Sequence, residues 1–205
     1  VHGGSGVSLG VIEALRLLYP EQKSLELVHR LDRETSGCLL ISKKRATLRH
    51  LHAELHAGWV DKTYLTLVHG HWPRHLQQVD APLRKNELVS GERMVKVDEQ
   101  GKAARTMFRV RQRYVDCTLL EVKPVTGRTH QIRVHARHMG HPVAGDSKYG
   151  SREFNQQLRN LGLKRLFLHA QSLRFTLPGS AQPVNVEAGL TADLEASLTK
   201  LAKGI

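Results

Sequence analysis

Residues 29–37 read HRLDRETSG and gather several charged side chains between two apolar runs. Asp32 is the carboxylate at the centre of this segment, with Arg30 and Arg33 within two positions of it. Cations next to a carboxylate keep it ionised, as a nucleophile or an electrostatic catalyst requires. The alternative is ordinary, because Asp between two strands is also common as a turn residue. The local composition leaves both interpretations open.

A second basic segment, residues 126–135, reads TGRTHQIRVH. Glycine and threonine at the start of a helix would present free backbone N–H groups, and Arg128 stands beside them. A helix start with a neighbouring cation is a favourable phosphate site. A capped helix with a solvated basic face explains the same residues, so the segment alone does not establish such a site.

The chain contains 13 histidines, and several of them occur close together. The groups are His50 and His52, His69 and His71, and His130, His135, His138 and His141. A zinc site needs three or four converging ligands, usually with Cys or carboxylate partners. No HExxH motif occurs and no acidic residue lies among the last four histidines, so we expect no metal ion.

The charge of the chain favours a nucleic-acid partner. Its 205 residues include 31 Lys and Arg against 19 Asp and Glu, a net charge of +12. An excess of this size is typical of proteins that bind phosphate backbones. Aromatic residues make up only 5%, which disfavours a module that stacks many bases on exposed rings and favours a pocket for one base.

Neither a membrane nor an oxidising compartment is indicated by the sequence. No segment approaches the ~20 apolar residues of a membrane span. Cys38 and Cys117 are the only cysteines, and each lies in an apolar run far from the other. This pattern predicts two buried thiols in a cytoplasmic protein.

The apolar periodicity predicts the elements that position these segments. Residues 25–28 and 38–41 are expected to be buried strands on either side of the Asp32 segment. Further strands are predicted at 60–68, 94–97, 102–114, 116–122, 166–169, 173–177 and 184–187, and helices between Ser8 and Pro20, at 44–58, at 129–139 and near the C-terminus. Because strands and helices do not alternate steadily, we predict an α+β fold with a largely antiparallel sheet rather than a doubly wound one.

The sequence resembles the RluA family of pseudouridine synthases over nearly the whole chain. Residues 29–37 match the family's HRLDxxTSG signature, which is highly specific. The tripeptide Lys62-Thr63-Tyr64 is similar to its tyrosine motif, and residues 127–135 are similar to its GRxHQIRxH segment. Residues 80–83, DAPL, and 145–150, GDSKYG, match lesser landmarks of the family.

The resemblance implies an isomerase that breaks the bond from ribose C1′ to uracil N1, turns the uracil and rejoins it at C5. Asp32 would be the catalytic carboxylate, as nucleophile or as base, and Arg133 would pair with it. Tyr64 would stack on the flipped uracil and help to remove the C5 proton. Arg30 would enter the space that the flipped uridine leaves.

Three further residues belong to the substrate-binding set that the resemblance implies. Ile132 would pack beside the base, and Arg128 and His130 would contact the RNA. The implied fold is a mixed, largely antiparallel sheet flanked by helices and loops. Because isomerisation has no redox or group-transfer step, the resemblance implies no cofactor and no metal.

The resemblance also implies that residues 1–205 form one catalytic domain. Family members carry an upstream strand with a Lys-Pro motif and an S4-type RNA-binding module. Only Val1 and His2 match the end of that motif, so the first strand and the module are expected to be absent from this fragment. The implied substrate is large-subunit (23S) ribosomal RNA, modified by a cytoplasmic monomer that binds no membrane. A basic RNA-binding or ribosome-assembly module without catalysis is the alternative.

Overall fold

The computed structural model of the protein describes residues 9–87 and 93–204. Ser8, expected near the start of the first helix, lies outside the described residues, as do Val1 and His2. The helices of the described part are α1 (Val11–Leu18), α2 (Arg45–Ala57), α3 (Gln131–His138), α4 (Arg152–Asn160) and α5 (Ala192–Ala202). Its strands are β1 (Glu26–Leu27), β2 (Ser36–Gly37), β3 (Ile41–Ser42), β4 (Asp61–His69), β5 (Gln78–Asp80), β6 (Leu83–Glu87), β7 (Arg93–Val97), β8 (Arg105–Arg113), β9 (Cys117–Pro124), β10 (Leu168–Thr176) and β11 (Pro183–Glu187).

One large, mostly antiparallel sheet organises the fold. Its strands follow the order β11-β10-β4-β9-β8-β5, and each is antiparallel to its neighbours. Strand β2 is added in parallel to β10. Two antiparallel pairs, β1 with β3 and β6 with β7, complete the described strands. The arrangement confirms the predicted α+β fold with a largely antiparallel sheet.

Strand β4 separates two hydrophobic cores. Successive side chains of a strand point to opposite faces, so the apolar run in β4 is buried on both. Tyr64 packs in a cluster that includes Ile132 of α3. Leu67 packs in another cluster, with Phe154 of α4 and Leu194 of α5. Helix α3 therefore lies on one face of the sheet, and α4 and α5 lie on the other.

The strands around Asp32 are shorter than predicted. The expected strands 25–28 and 38–41 reduce to the two-residue pair β1 and β3. The chain just before β3 bonds to β10 instead, since Ser36 and Gly37 pair with it and the Cys38 N–H binds the Ala170 carbonyl oxygen at 2.9 Å. Gly37 has a φ of 103°, and a Cβ at this position would lie 2.2 Å from the Ala170 carbonyl oxygen. Only glycine permits this approach, which brings the Asp32 segment against the central sheet.

The predicted helices next to the site are confirmed, with one shift in a boundary. Helix α2 ends at Gly58, whose φ of 77° is the left-handed conformation that glycine favours at this position. Helix α3 begins at Gln131 rather than Thr129, because the preceding His130 has a left-handed φ of 53°. The turn before α3 is therefore not helical, and His130 does not belong to the helix.

The second half of the chain differs from the prediction in two places. The expected strands 166–169 and 173–177 form the single strand β10, with a shift in register between Ala170 and Ser172. Helix α4 was not predicted, because its sequence REFNQQLRN is mostly polar. Only Phe154 and Leu158 of this helix are buried, which is too little apolar surface for a clear helical period.

Candidate active site

Side chains from distant parts of the chain hold the segment that follows Asp32. Arg165, just before β10, donates from Nη1 to the Glu34 carbonyl oxygen at 3.1 Å and from Nη2 to Ser36 Oγ at 3.3 Å. Ser36 Oγ also lies 2.9 Å from Nδ1 of His169. Glu34 itself has a left-handed φ of 69°. The segment is thus fixed by β10 and the chain before it, and this fixes the position of Asp32.

Asp32 forms an ion pair with Arg133 of α3. Nη1 of Arg133 lies 3.2 Å from Oδ2 of Asp32, across 101 positions of sequence. The side chain of Asp32 is 25% exposed, whereas that of Arg133 is 7% exposed. One oxygen of the carboxylate is therefore bound by a buried cation, while part of the group remains open to a substrate.

Arg133 is held on its other side by Asp146. Its Nε lies 2.7 Å from Oδ2 and its Nη2 lies 2.8 Å from Oδ1 of Asp146, whose side chain is fully buried. Asp146 Oδ1 also accepts the backbone N–H groups of Lys148 and Tyr149. A bidentate pair fixes the plane of the guanidinium. This plane directs the remaining Nη1 toward Asp32.

The charges of Asp146 and Arg133 stabilise each other. Burial on its own would raise the pKa of Asp146, but the hydrogen bonds and charge of Arg133 outweigh it and lower that pKa below its ordinary value. Burial on its own would lower the pKa of Arg133, but Asp146 and Asp32 outweigh it and raise that pKa. Arg133 therefore stays a cation and Asp146 stays a carboxylate near neutral pH.

Tyr149 and His130 complete the surroundings of Arg133. The guanidinium carbon lies 5.0 Å from the centre of the Tyr149 ring, a cation–π distance. Tyr149 Oη accepts the Val95 N–H at 2.9 Å and lies 2.8 Å from Nδ1 of His130. Burial lowers the pKa of His130, and the charge of Asp32 opposes this shift. The structure therefore gives His130, a predicted RNA ligand, a contact within the protein.

Tyr64 is a buried side chain whose pKa is influenced by the charge of Asp32. The side chain projects from β4 into the same cluster as Ile132, and only 9% of the residue is exposed. Burial, together with the negative charge of Asp32, raises the pKa of Tyr64 to about 12. The phenol is therefore protonated near neutral pH, which favours stacking over service as a base.

The predicted RNA-binding residues occupy different surroundings. Arg30 is exposed, two positions before Asp32, and Ile132 is buried next to Arg133. Arg128 is not part of the Asp32–Arg133 ion pair. It donates from Nε to the Ala103 carbonyl oxygen at 3.0 Å. The backbone N–H of Arg128, in the segment predicted as a phosphate site, binds Oε1 of Gln131 at 3.0 Å.

Sequence reasoning missed two residues of this site, Asp146 and Tyr149. Both fall in the segment GDSKYG, which the sequence identified as a landmark without a role. A buried acid followed by a tyrosine could have indicated an ion pair, but nothing in the sequence shows that Arg133 is its partner. The contact depends on how the chain after α3 returns to that helix.

The clustered histidines that form hydrogen bonds do so with separate oxygen atoms of the protein. His135 Nε2 lies 2.9 Å from the Ala81 carbonyl oxygen and its Nδ1 lies 2.9 Å from Thr106 Oγ1. His141 Nδ1 lies 2.8 Å from the carbonyl oxygen of His69. Residues 9–87 and 93–204 contain no group of three or more His, Cys, Asp or Glu side chains placed to hold a metal ion. Among these same residues, no helix is long and apolar enough to cross a membrane.

Comparison with known sequences identifies relatives along the whole chain. Residues 11–138 match the family described as RNA pseudouridylate synthase. The ribosomal large subunit pseudouridine synthase C of Haemophilus influenzae is 55% identical over 201 residues, which cover 98% of this chain and 62% of that protein. The protein of the same name from Escherichia coli is 55% identical over 203 residues, 98% of this chain and 64% of that protein. The chain thus spans less than two thirds of these relatives.

Solved structures show the same fold. Human RNA pseudouridylate synthase domain containing 1 superposes with a TM-score of 0.74 at 26% identity, covering 99% of this chain and 87% of that one. Human RNA pseudouridylate synthase domain containing 4 gives a TM-score of 0.74 at 26% identity, covering 94% of this chain and 82% of that one. The sheet and its flanking helices are therefore shared with pseudouridylate synthases.

Proposed function

We propose that this chain, which belongs to the RNA pseudouridylate synthase family, converts uridine to pseudouridine in RNA with Asp32 as its catalytic carboxylate. The observation that carries the proposal is the ion pair between Asp32 and Arg133, at 3.2 Å, with Arg133 fixed by the buried Asp146. A carboxylate held by one cation and still partly open can act on a bound nucleotide.

The reaction rearranges one nucleotide without adding or removing atoms. The bond from C1′ to N1 breaks, a bond from C1′ to C5 forms, the C5 proton leaves and N1 gains a proton. Asp32 can attack C1′, attack the uracil ring, or remove a proton to start elimination through a glycal, and all three need the ionised carboxylate. Since the balance contains no redox or group-transfer step, it calls for no cofactor and no metal.

Three neighbours of Asp32 have proposed roles on the nucleotide. Tyr64 stacks on the flipped uracil, with its phenol protonated because its pKa is raised to about 12. Ile132, in the same cluster, packs beside the base. Arg30, exposed two positions before Asp32, enters the space that the flipped uridine leaves in its helix.

We propose large-subunit ribosomal RNA as the substrate. The relatives that are 55% identical bear the name ribosomal large subunit pseudouridine synthase C, and the net charge of +12 suits a polyanionic partner. Arg128 contributes to this basic surface, whereas His130 supports the site through Tyr149. We propose that the chain acts as a monomeric catalytic domain in the cytoplasm.

The identity of the product tests the proposal. Purified protein is incubated with an unmodified 23S rRNA transcript, which is then treated with a carbodiimide whose adduct on pseudouridine stops reverse transcription. The adduct is needed because uridine and pseudouridine have equal mass. The expected result is a set of stops at discrete uridines without release of free uracil. Free uracil would identify a hydrolase, and tight binding with no stops would identify an RNA-binding module. Either result would contradict the proposal.

A further inference from the structure

Lys62 is a partly buried cation that has no anionic partner among the residues that the structure describes. It lies on β4 two residues before Tyr64, so both side chains project from the same face of the strand. The residue is only partly accessible, and burial lowers the pKa of its ammonium group. Among residues 9–87 and 93–204, no hydrogen-bond acceptor or carboxylate binds it. The protein thus keeps a poorly solvated positive charge beside the candidate site.

Such an arrangement is unfavourable for the protein alone. Removing an ammonium group from water costs free energy unless an opposite charge or an acceptor replaces the lost hydration. Arg133, the other buried cation of this region, has two carboxylates to compensate it, Asp32 and Asp146. Lys62 has no such carboxylate within the described part of the chain, and a bound anion would supply the missing counter-charge.

The position of Lys62 relates it to both segments of the site. A Cβ built on Gly127 would lie 3.8 Å from Lys62 Nζ, which places the ammonium at the segment that leads into α3. Burial lowers the pKa of His29, three residues before Asp32, and the positive charge of Lys62 lowers it further. Lys62 therefore lies near both the segment that carries Asp32 and the segment that leads to Arg133.

A basic cavity of about 360 Å³ begins at the same glycine. Its lining includes Lys85, Lys102, Gly127 and Arg128, and no acidic residue is among its described lining residues. Gly127 is thus shared between this cavity and the ammonium of Lys62. A polyanion lying in the cavity would pass Gly127, which has no side chain to block its approach to Lys62.

We propose that Lys62 Nζ and the open backbone at Gly127 form a binding site for a backbone phosphate of the RNA, next to the nucleotide that reaches Asp32. This inference rests on the proposed function and deepens it. The phosphate supplies the counter-charge that the ammonium lacks, and it fixes the register of the strand relative to the pocket. Lys62 is a substrate-positioning residue and takes no part in the bond changes at the uracil.

Salt dependence of RNA binding gives the direct test. For Lys62→Met, the slope of log affinity against log salt concentration for an unmodified 23S rRNA transcript should become shallower by about 0.7 to 1, the amount expected for one phosphate contact. Lys62→Arg keeps the charge and should keep the slope. An unchanged slope in Lys62→Met would overturn the proposal.

Lys200→Met provides a matched control. Its Nζ also lies next to a glycine, since a Cβ built on Gly162 would be 3.5 Å away, but Lys200 is exposed and belongs to α5 on the other face of the sheet. This variant should leave the salt slope unchanged. A loss equal to that of Lys62→Met would show that any lysine contributes alike, and would overturn the specific site.

Thermal stability separates a phosphate site from a structural role. Because Lys62→Met removes a poorly solvated charge and keeps an unbranched chain of similar length, its melting temperature should equal or exceed that of the wild type. A structural lysine would show the reverse, with lower stability and no change in slope. If the wild type formed no pseudouridine, the proposed function would fail whatever the slopes were. An active wild type with an unchanged slope in Lys62→Met would reject only the phosphate site.

Discussion

Asp146 binds the guanidinium of Arg133 through two hydrogen bonds, of 2.7 and 2.8 Å, and thereby leaves Nη1 of Arg133 to meet Asp32 at 3.2 Å. The two carboxylates of this chain of ion pairs have different surroundings. Asp146 is buried and also bound by backbone N–H groups, whereas Asp32 is partly open. We infer that Asp146 orients the arginine and that Asp32 is the group offered to the substrate.

Asp146→Asn should destabilise the protein strongly. Among the described residues it leaves the buried Arg133 with Asp32 as its one remaining carboxylate partner. Breaking a buried ion pair typically costs about 3–5 kcal/mol. Urea denaturation of both proteins measures the change in the free energy of unfolding. Asp80→Asn is the control, because it breaks an exposed pair with Arg105 and should have a much smaller effect. Equal losses in the two variants would contradict the structural role of Asp146.

The same ion pair should make stability depend on pH in the acid range. The pKa of Asp146 is lower in the folded chain than the ordinary value of about 3.9 expected on unfolding. Its contribution is therefore complete above about pH 4 and is lost as the pH falls through the lowered folded value. Unfolding midpoints measured from pH 7 to pH 2 should fall more steeply in the wild type than in Asp146→Asn. Parallel curves would show that Asp146 is not the group responsible.

Tyr64 should not act as a phenolate. With a pKa of about 12, a phenolate base would make the single-turnover rate rise about tenfold for each pH unit from pH 7 to pH 9. We expect a flat profile over this range for the wild type. Tyr64→Phe should retain RNA binding because it keeps the ring. A steep rise that Tyr64→Phe abolishes would restore the proton-transfer role.

Arg30→Ala should slow base flipping more than it affects folding. Arg30 is exposed, so its loss removes little packing. Single-turnover rates should fall on a structured RNA and fall less on an RNA whose target uridine is already unpaired, because unstacking costs a few kcal/mol only in the first. Equal rate losses on the two RNAs would argue against a role in flipping.

The sequence predicted the sheet better than it predicted the segment around Asp32. The long strand β4 and the β8–β9 hairpin have periodic or continuously apolar sequences, which local reasoning detects. The apolar runs beside Asp32 are equally clear in the sequence, but in the structure Ser36 and Gly37 pair with β10. This pairing depends on the close approach of the Gly37 backbone to Ala170, which the local sequence does not reveal.

For the site, the signature motifs identified Asp32 and Arg133, and the structure places these two in contact. The support of Arg133 by Asp146 could not be predicted, because it depends on the turn after α3. The sequence also could not show that the ammonium group of Lys62 lacks a counter-charge among the described residues. A lysine in a strand is ordinary by sequence, and only the structure shows that burial leaves its charge uncompensated.

The central claim is that Asp32 performs the chemistry, and Asp32→Asn tests it most directly. Arg133 keeps both hydrogen bonds to Asp146 in this variant, so we expect the melting temperature to change little. RNA should still bind, since a negative charge facing the phosphates is removed. The measurement is the single-turnover yield of pseudouridine on a 23S rRNA transcript, read by carbodiimide-dependent stops. Loss of such a group typically costs 10²-fold or more in rate, so we expect no product above the detection limit. A folded Asp32→Asn protein that keeps more than about a tenth of the wild-type rate would contradict the account.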